Sequence, residues 1–334
     1  MPEQNLPAVT ATTSLVASGQ IGILVPAIVS DAGEETLRRY LEFFVAHIRN
    51  PNTREAYGRA MGQFFAWCEQ RGITDLKAVN SFVVSAYIEQ HQASAPTIKQ
   101  HLSGIRQLFA WLKAKKVLRE NPAEDVTSPK HRVKVGKTPI LDTEDARRLF
   151  ASFDSTHVVG LRDRALIGLM TYTFARIGAV LAMNIEDYQM RGKRPFVCLH
   201  EKGGKYHTLP LHPVAEEYLD HYVAAAIADV GEEQFIKKTP LFRSVNGRTK
   251  HLSDKRLVPR NAQAMVKRRL LDANISDDAS PHSFRAMGLT NYLENGGSLD
   301  TAQEIAAHED IRTTKLYDRR QDKVSYEEIL RMRF

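Results

Sequence analysis

Four side chains near the end of the chain have the types and spacing to act on one anion. In SPHSFRAMGLTNYLENGGSLDTAQEIAAHEDIRTTKLYD, residues 280–318, His282 and Arg285 sit three apart, and Leu289 and Leu293 continue at helical spacing. Positions i and i+3 share a helix face, so the imidazole and the guanidinium address one target. A guanidinium suits a phosphate because its planar fork of donors matches two oxygens. Tyr317 adds a phenol, a covalent nucleophile once its proton is removed or its charge is stabilised. His308 lies nine residues before Tyr317, close enough to join the same pocket. Any one of these residues alone is more often a surface or packing residue; their joint order and spacing carry the inference.

The rest of the composition narrows what such a site serves. A chain of 334 residues is long enough for two domains with real cores. With 43% hydrophobic and 25% charged residues it reads as an ordinary soluble globular protein. The formal net charge of +7 favours a polyanionic partner. Cys68 and Cys198 are far apart and form no C-x-x-C pattern, which fits free thiols in a reducing cytoplasm better than a disulfide framework or a zinc site. The apolar run at residues 21–29 is far short of the roughly twenty residues of a membrane span, and Pro26 interrupts it. Glu3 and the lack of a basic flank argue against a signal peptide, and no P-loop points to nucleotide hydrolysis. No carboxylate cluster or His/Cys set suggests a metal site; cations are offered instead.

The elements that must position these residues can be read in order. Residues 1–33, rich in Ala, Thr, Ser and Val, are expected to form a mobile arm. Residues 34–121 read as a helical module. Its first helix carries Leu37, Leu41, Phe44, Val45 and Ile48. Asn52 or Thr53 is expected to cap the second, which ends at Gly72, and Asp75 to open the third. The fourth, from Pro96, has Ile98, Leu102, Ile105, Phe109 and Leu112 on one face and Lys99, Arg106 and Lys113 on the other. Residues 122–139 form a basic linker with Lys130, His131, Arg132, Lys134 and Lys137, suited to phosphate neutralisation or simply to solvent.

Residues 140–334 form the second domain. A helix capped by Thr143 precedes a mostly apolar, buried helix over 161–174. Arg176 then opens another helix, and its partly enclosed side chain needs an anion, either a structural carboxylate or a substrate phosphate. Strands at 196–199 and 207–211 flank a turn, 201–205, that bears Lys202 and Lys205. Helices over 213–228 and 259–273 follow, the latter with Arg260, Lys267, Arg268 and Arg269. The tail after Tyr317 ends in an apolar stripe of Ile329, Leu330, Met332 and Phe334. The predicted fold class is mainly α with a small β-sheet, in two domains.

The pattern H-x-x-R, a second His 26 residues after the first, and Tyr nine after that resembles the tyrosine recombinase (phage integrase) family. LENGGSLDTAQEIAAHEDIRTTKLYDR is similar to that family's C-terminal region along its length. ARIGAVLAMNIEDY resembles its first-arginine motif, and EKGGKYHTLPL its lysine-bearing hairpin. The resemblance implies a catalytic set of Arg176, Lys202, His282, Arg285, His308 and Tyr317, with Lys205 the lesser lysine candidate. It also implies a helical core-binding (SAM-like) domain before a mixed α/β catalytic domain. DNA contacts are expected at Lys99, Arg106, Lys113, Lys130, Arg132, Lys134, Lys205, Arg260 and Lys267. One position departs from the pattern: where the family usually has an acid, three residues after the arginine, this chain has Ala179.

The implied activity is cleavage and rejoining of DNA strands through a 3′-phosphotyrosine, without metal, ATP or cofactor. The implied partners are double-stranded DNA with inverted-repeat core sites and three further copies of the chain, with the C-terminal tail reaching a neighbouring protomer. A bacterial or mobile-element enzyme acting in the cytoplasm at the nucleoid fits, and an arm this short argues against a separate arm-site domain. A type IB topoisomerase, a catalytically weakened DNA-binding regulator and a helical protein–protein adaptor are the competing readings.

Overall fold

A computed structural model describes residues 23–130, 138–201, 204–276 and 278–318. The chain divides into two compact units, residues 1–132 and 133–334.

The first unit is helical: α1 (Ala27–Ser30), α2 (Glu34–Glu42), α3 (Pro51–Glu69), α4 (Ser81–Gln90) and α5 (Ala95–Ala114). A π-helical turn, Phe43–His47, extends α2. Helix α3 starts one residue before the expected cap: Asn50 accepts from the backbone N–H groups of Asn52 and Thr53, and Pro51 sits where its missing N–H costs nothing. Asp75 caps only a short 3₁₀ turn, and Asn80 caps α4. The apolar stripes of α3 and α5 meet in a core with Tyr40, Phe43, Phe44, Phe64, Phe65 and Phe109. Part of the expected mobile arm belongs to this core: Val25, Ile28 and Val29 are buried in it. Residues 1–22 lie outside the described residues.

The second unit contains α6 (Thr143–Ala151), α7 (Val158–Tyr172), α8 (Ile177–Ala182), β1 (Tyr188–Arg191), β2 (Arg194–His200), β3 (Tyr206–Pro210), α9 (Pro213–Val230), β4 (Arg243–Val245), β5 (Leu252–Arg256), α10 (Pro259–Asp272), α11 (Pro281–Glu294), α12 (Leu299–Ile305) and α13 (Ile311–Lys315). Asp142, not Thr143, caps α6. The sheet is β1-β2-β3, antiparallel, with β4-β5 as a separate hairpin. Helix α7 is buried on nearly every side, as its continuous apolar run predicts, and packs against α9 and α11. Two of its buried polar residues are matched. Asp163 accepts from Arg162 at 2.6 Å and from Arg269 of α10 at 2.8 Å, and Arg162 donates to the carbonyl of Arg243. Arg269, grouped by sequence with possible DNA contacts, therefore braces the core.

Helices α7 and α11 touch at Gly288. A Cβ there would sit 1.9 Å from the Thr171 carbonyl oxygen and 3.1 Å from the Phe174 ring. No side chain fits without driving the helices apart. Gly288→Ala raises helix propensity by about 1 kcal/mol, but forced overpacking against backbone costs about 1–3 kcal/mol. The clash should win. Urea unfolding of Gly288→Ala should show a net loss of stability; equal or greater stability would refute the close packing. Among the described residues, no helix is long and apolar enough to cross a membrane.

Candidate active site

Helix ends build the site. Helix α7 stops at Tyr172, and Phe174 takes a left-handed conformation, φ +52°. The chain then turns, and Arg176 becomes the N-cap of α8. At the other side α12 closes with a Schellman arrangement. The N–H of His308 donates to the Gln303 carbonyl at 3.1 Å, and that of Ala307 to Glu304 at 2.9 Å. Ala307 is the left-handed residue there, φ +48°. Non-glycine residues in this region cost about 1–2 kcal/mol each, and such strain clusters at functional sites.

Arg285 connects these two ends. It is 1% exposed, and its guanidinium donates to the Phe174 carbonyl through Nη1 and to the Ala306 carbonyl at 2.7 Å through Nη2. Its Nε is buried with no hydrogen-bond partner among the described residues, and the guanidinium lies near enough to the Tyr317 phenol to oppose the rise in that group's pKa. Burial first, and then the charge of Arg176, lower its pKa to about 10, so it stays cationic at neutral pH.

Tyr317 and His282 face each other. The phenol oxygen lies 2.7 Å from His282 Nε2. Thr290 of α11 donates to the Tyr317 carbonyl at 3.0 Å and fixes the backbone that presents the ring. Burial raises the Tyr317 pKa against the opposing charges of Arg285 and Arg176, so the phenol is protonated at rest. Burial, Arg285 and Arg176 together lower that of His282, so its imidazole is neutral and can accept the phenol's proton. His308 stacks on Tyr317 with centroids 6.1 Å apart and planes 11° from parallel. Its Nδ1 is 2.9 Å from the hydroxyl of Thr314, which is fully buried.

Arg176 is more open than expected, with its side chain 43% exposed, and it already has an anion: Glu201 Oε2 lies 2.7 Å from Nη1. Its charge reaches His282, Arg285, His308 and Tyr317 alike and shifts the titration of each. Lys202 lies outside the described residues. Lys205 pairs instead with Glu309 at 3.0 Å. The β2-β3 hairpin is thereby tied to the loop beside His308, as it also is by His207 Nε2, 3.2 Å from the Ile305 carbonyl.

The remaining expected DNA contacts divide. Lys99, Lys130, Arg260 and Lys267 are exposed. Arg106 is not simply a solvated charge: it donates to the carbonyls of Ala123 and Val126 and holds the chain after α5. Lys113 pairs with Glu124 at 2.9 Å. Arg132 and Lys134 lie outside the described residues. Sequence reading missed Glu201 and Thr314 altogether. Nothing marks Thr314, whereas an acid directly before the hairpin lysine was a usable signal.

Residues 139–323 match the Phage integrase family, and residues 37–116 match the Phage integrase N-terminal SAM-like domain. The chain belongs to the phage integrase family, the tyrosine-type site-specific DNA recombinases. It is 28% identical over 292 residues to the tyrosine recombinase XerD of Staphylococcus haemolyticus, across 85% of this chain and 93% of that one. XerD of Staphylococcus saprophyticus is 26% identical over 291 residues, 84% of this chain and 92% of its own. In fold it is similar to the XerH recombinase bound to difH, a pre-cleavage complex, with TM-score 0.61, 18% identity, and 83% and 78% of the two chains covered. A lambda integrase dimer bound to a COC′ core site gives 0.62 at 18% identity, covering 87% and 79%.

The lowered imidazoles set a pH dependence. His308 falls to about 3, through burial first and then Arg285, Arg176 and His282. An unfolded histidine titrates near ~6.5. Below that pH the unfolded chain binds a proton that the folded one refuses, so stability falls as pH drops from about 6.5 toward 3. His308→Gln removes one such proton. Between about pH 5 and 4 its unfolding free energy should fall less steeply than that of the parent, by up to about 1.4 kcal/mol per pH unit. Urea titrations across this range that gave parallel slopes would contradict the buried neutral imidazole.

Proposed function

We propose that Tyr317 cleaves one DNA strand at a core site and holds it as a 3′-phosphotyrosine until another strand's 5′-hydroxyl replaces it. The observation that carries this is the 2.7 Å contact between Tyr317 Oη and a neutral His282, beside two guanidinium groups. Tyr317 Oη attacks phosphorus as His282 Nε2 takes the phenol proton. The new O–P bond forms as the P–O5′ bond breaks, and Lys202 gives the leaving oxygen its proton. Arg176 and Arg285 meet the charge that builds on the nonbridging oxygens. Arg285 does so through its unmatched Nε. With the Thr314 hydroxyl donating to Nδ1, His308 carries its proton on Nε2 and offers it to a phosphate oxygen. The ester's energy is kept in the tyrosyl link, so rejoining requires only the reverse steps.

Tyr317 is 6% exposed, so contact with a duplex must open its cover. We read this as an off state that DNA and neighbouring protomers release. Exchange between two duplexes requires four strand transfers, hence four protomers on paired inverted repeats. A groove of about 1220 Å³, lined by Ile140, Phe150, Tyr172, Phe174, Met287 and Tyr292, is the proposed seat for the apolar tail stripe of a neighbouring copy. That tail lies outside the described residues. Lys99, Lys130, Arg260 and Lys267 would contact the DNA backbone, a salt-sensitive interaction. A role in a bacterial cytoplasm, at the nucleoid or on a mobile element, fits these parts.

The test uses a nicked suicide duplex carrying the inverted repeats found beside the gene. The parent protein should form an SDS-resistant protein–DNA adduct. Tyr317→Phe should bind the duplex with unchanged affinity and form none. Adduct formation by Tyr317→Phe would exclude Tyr317 as nucleophile, and no adduct from either would favour a non-catalytic regulator.

A further inference from the structure

Arg176 projects from the N-cap of α8, and its long side chain is 43% exposed. The residue one turn further, Ala179, is buried and has no polar atom to direct it. Like charge acts on it, since Arg176 and Arg285 repel and the Arg176 charge lowers the pKa of Arg285. Left to itself, Arg176 would turn away from Arg285 into water. A carboxylate from a different element holds it back. Glu201 stands at the end of β2, its side chain only 7% exposed, with Oε2 2.7 Å from Arg176 Nη1. The Glu201 backbone is fixed in turn, because its N–H donates to the Lys205 carbonyl at 2.8 Å. Leu199–His207 and His200–Tyr206 pairing sets the hairpin below it. Among the described residues the carboxylate bonds the guanidinium at Nη1, on one edge of its planar fork.

We infer that Glu201 is a positioning residue: it aims Arg176, on a different element, at the scissile phosphate. Two parts of the site that share no helix or strand are thereby set by one ion pair. The inference rests on the proposed strand-cleaving role of this site. The pair is local, and it asks nothing of overall DNA affinity.

The experiment measures single-turnover adduct formation at saturating concentrations of the nicked inverted-repeat duplex, with DNA affinity and thermal melting recorded for each variant. Glu201→Gln keeps the shape and loses the charge. A misplaced catalytic group costs up to about 100-fold in rate. Glu201→Gln should therefore form the adduct about 10- to 100-fold more slowly, with affinity within about twofold of the parent. Glu201→Asp, which keeps the charge on a shorter arm, should retain more rate than Glu201→Gln. Ala179→Glu placed in the Glu201→Gln background supplies a carboxylate from α8 and should recover part of the loss. A purely structural role would not respond to that second-site acid. If the double variant does not melt cooperatively, the order of Glu201→Asp and Glu201→Gln decides. Parent-like rate in Glu201→Gln, a loss confined to affinity, or Glu201→Asp no faster than Glu201→Gln overturns the inference. Absence of an adduct from the parent protein itself would instead overturn the cleavage reading beneath it.

Discussion

The guanidinium of Arg285 is the constraint on which the rest of the site depends. Burying a charge is expensive unless hydrogen bonds replace the lost water. Here two main-chain carbonyls, Phe174 and Ala306, do so from the ends of two different helices. A planar fork can reach both at once, which a point-like ammonium cannot. The same group that joins α7, α11 and α12 also supplies part of the field that works on the tyrosine. It opposes the upward push of burial on the Tyr317 phenol and adds to the burial that holds both nearby imidazoles neutral. Packing and electrostatics are therefore one problem in this site, solved by one side chain.

The backbone strain has the same origin. Phe174 and Ala307, two of the five non-glycine residues with positive φ among those described, stand at or next to the carbonyls that Arg285 takes. Each turns a helix end so that its last carbonyl faces inward. Phe174 also places its ring against Tyr292 at 5.8 Å, in a small core shared with Leu289, Leu293, Ala302 and Tyr317. Close contact of α11 on α7 at Gly288 fixes the distance over which Arg285 must reach. Strain at two residues, one glycine contact and one buried charge thus hold two helix ends in register against α11.

Much of this was legible in the sequence because it rests on periodicity. Three-residue spacing placed His282 and Arg285 together on α11, and apolar stripes marked α3, α5 and α7. Elements without such a signal were missed. Strands β1 and β4 span four and three residues, too few to show alternation, and their presence is decided by pairing. Caps were displaced by a residue or more, since Asn50, Asn80 and Asp142 each precede an equally plausible neighbour. Side-chain partners were the least visible. Arg106 and Lys113 read as DNA-facing cations and Arg269 as part of a basic cluster, yet each is matched by a carbonyl or carboxylate outside its own helix. Glu201 has the same character: only the hairpin brings it to Arg176.

The most direct measurement is the single-turnover adduct rate and urea stability of Arg285→Lys on the nicked inverted-repeat duplex. The charge is retained and the fork is lost. If the guanidinium both ties the helix ends and presents a donor to a nonbridging phosphate oxygen, stability and rate should fall together, the rate by about 100-fold or more. A lysine variant that folded as stably as the parent and formed the adduct at the parent's rate would contradict the account.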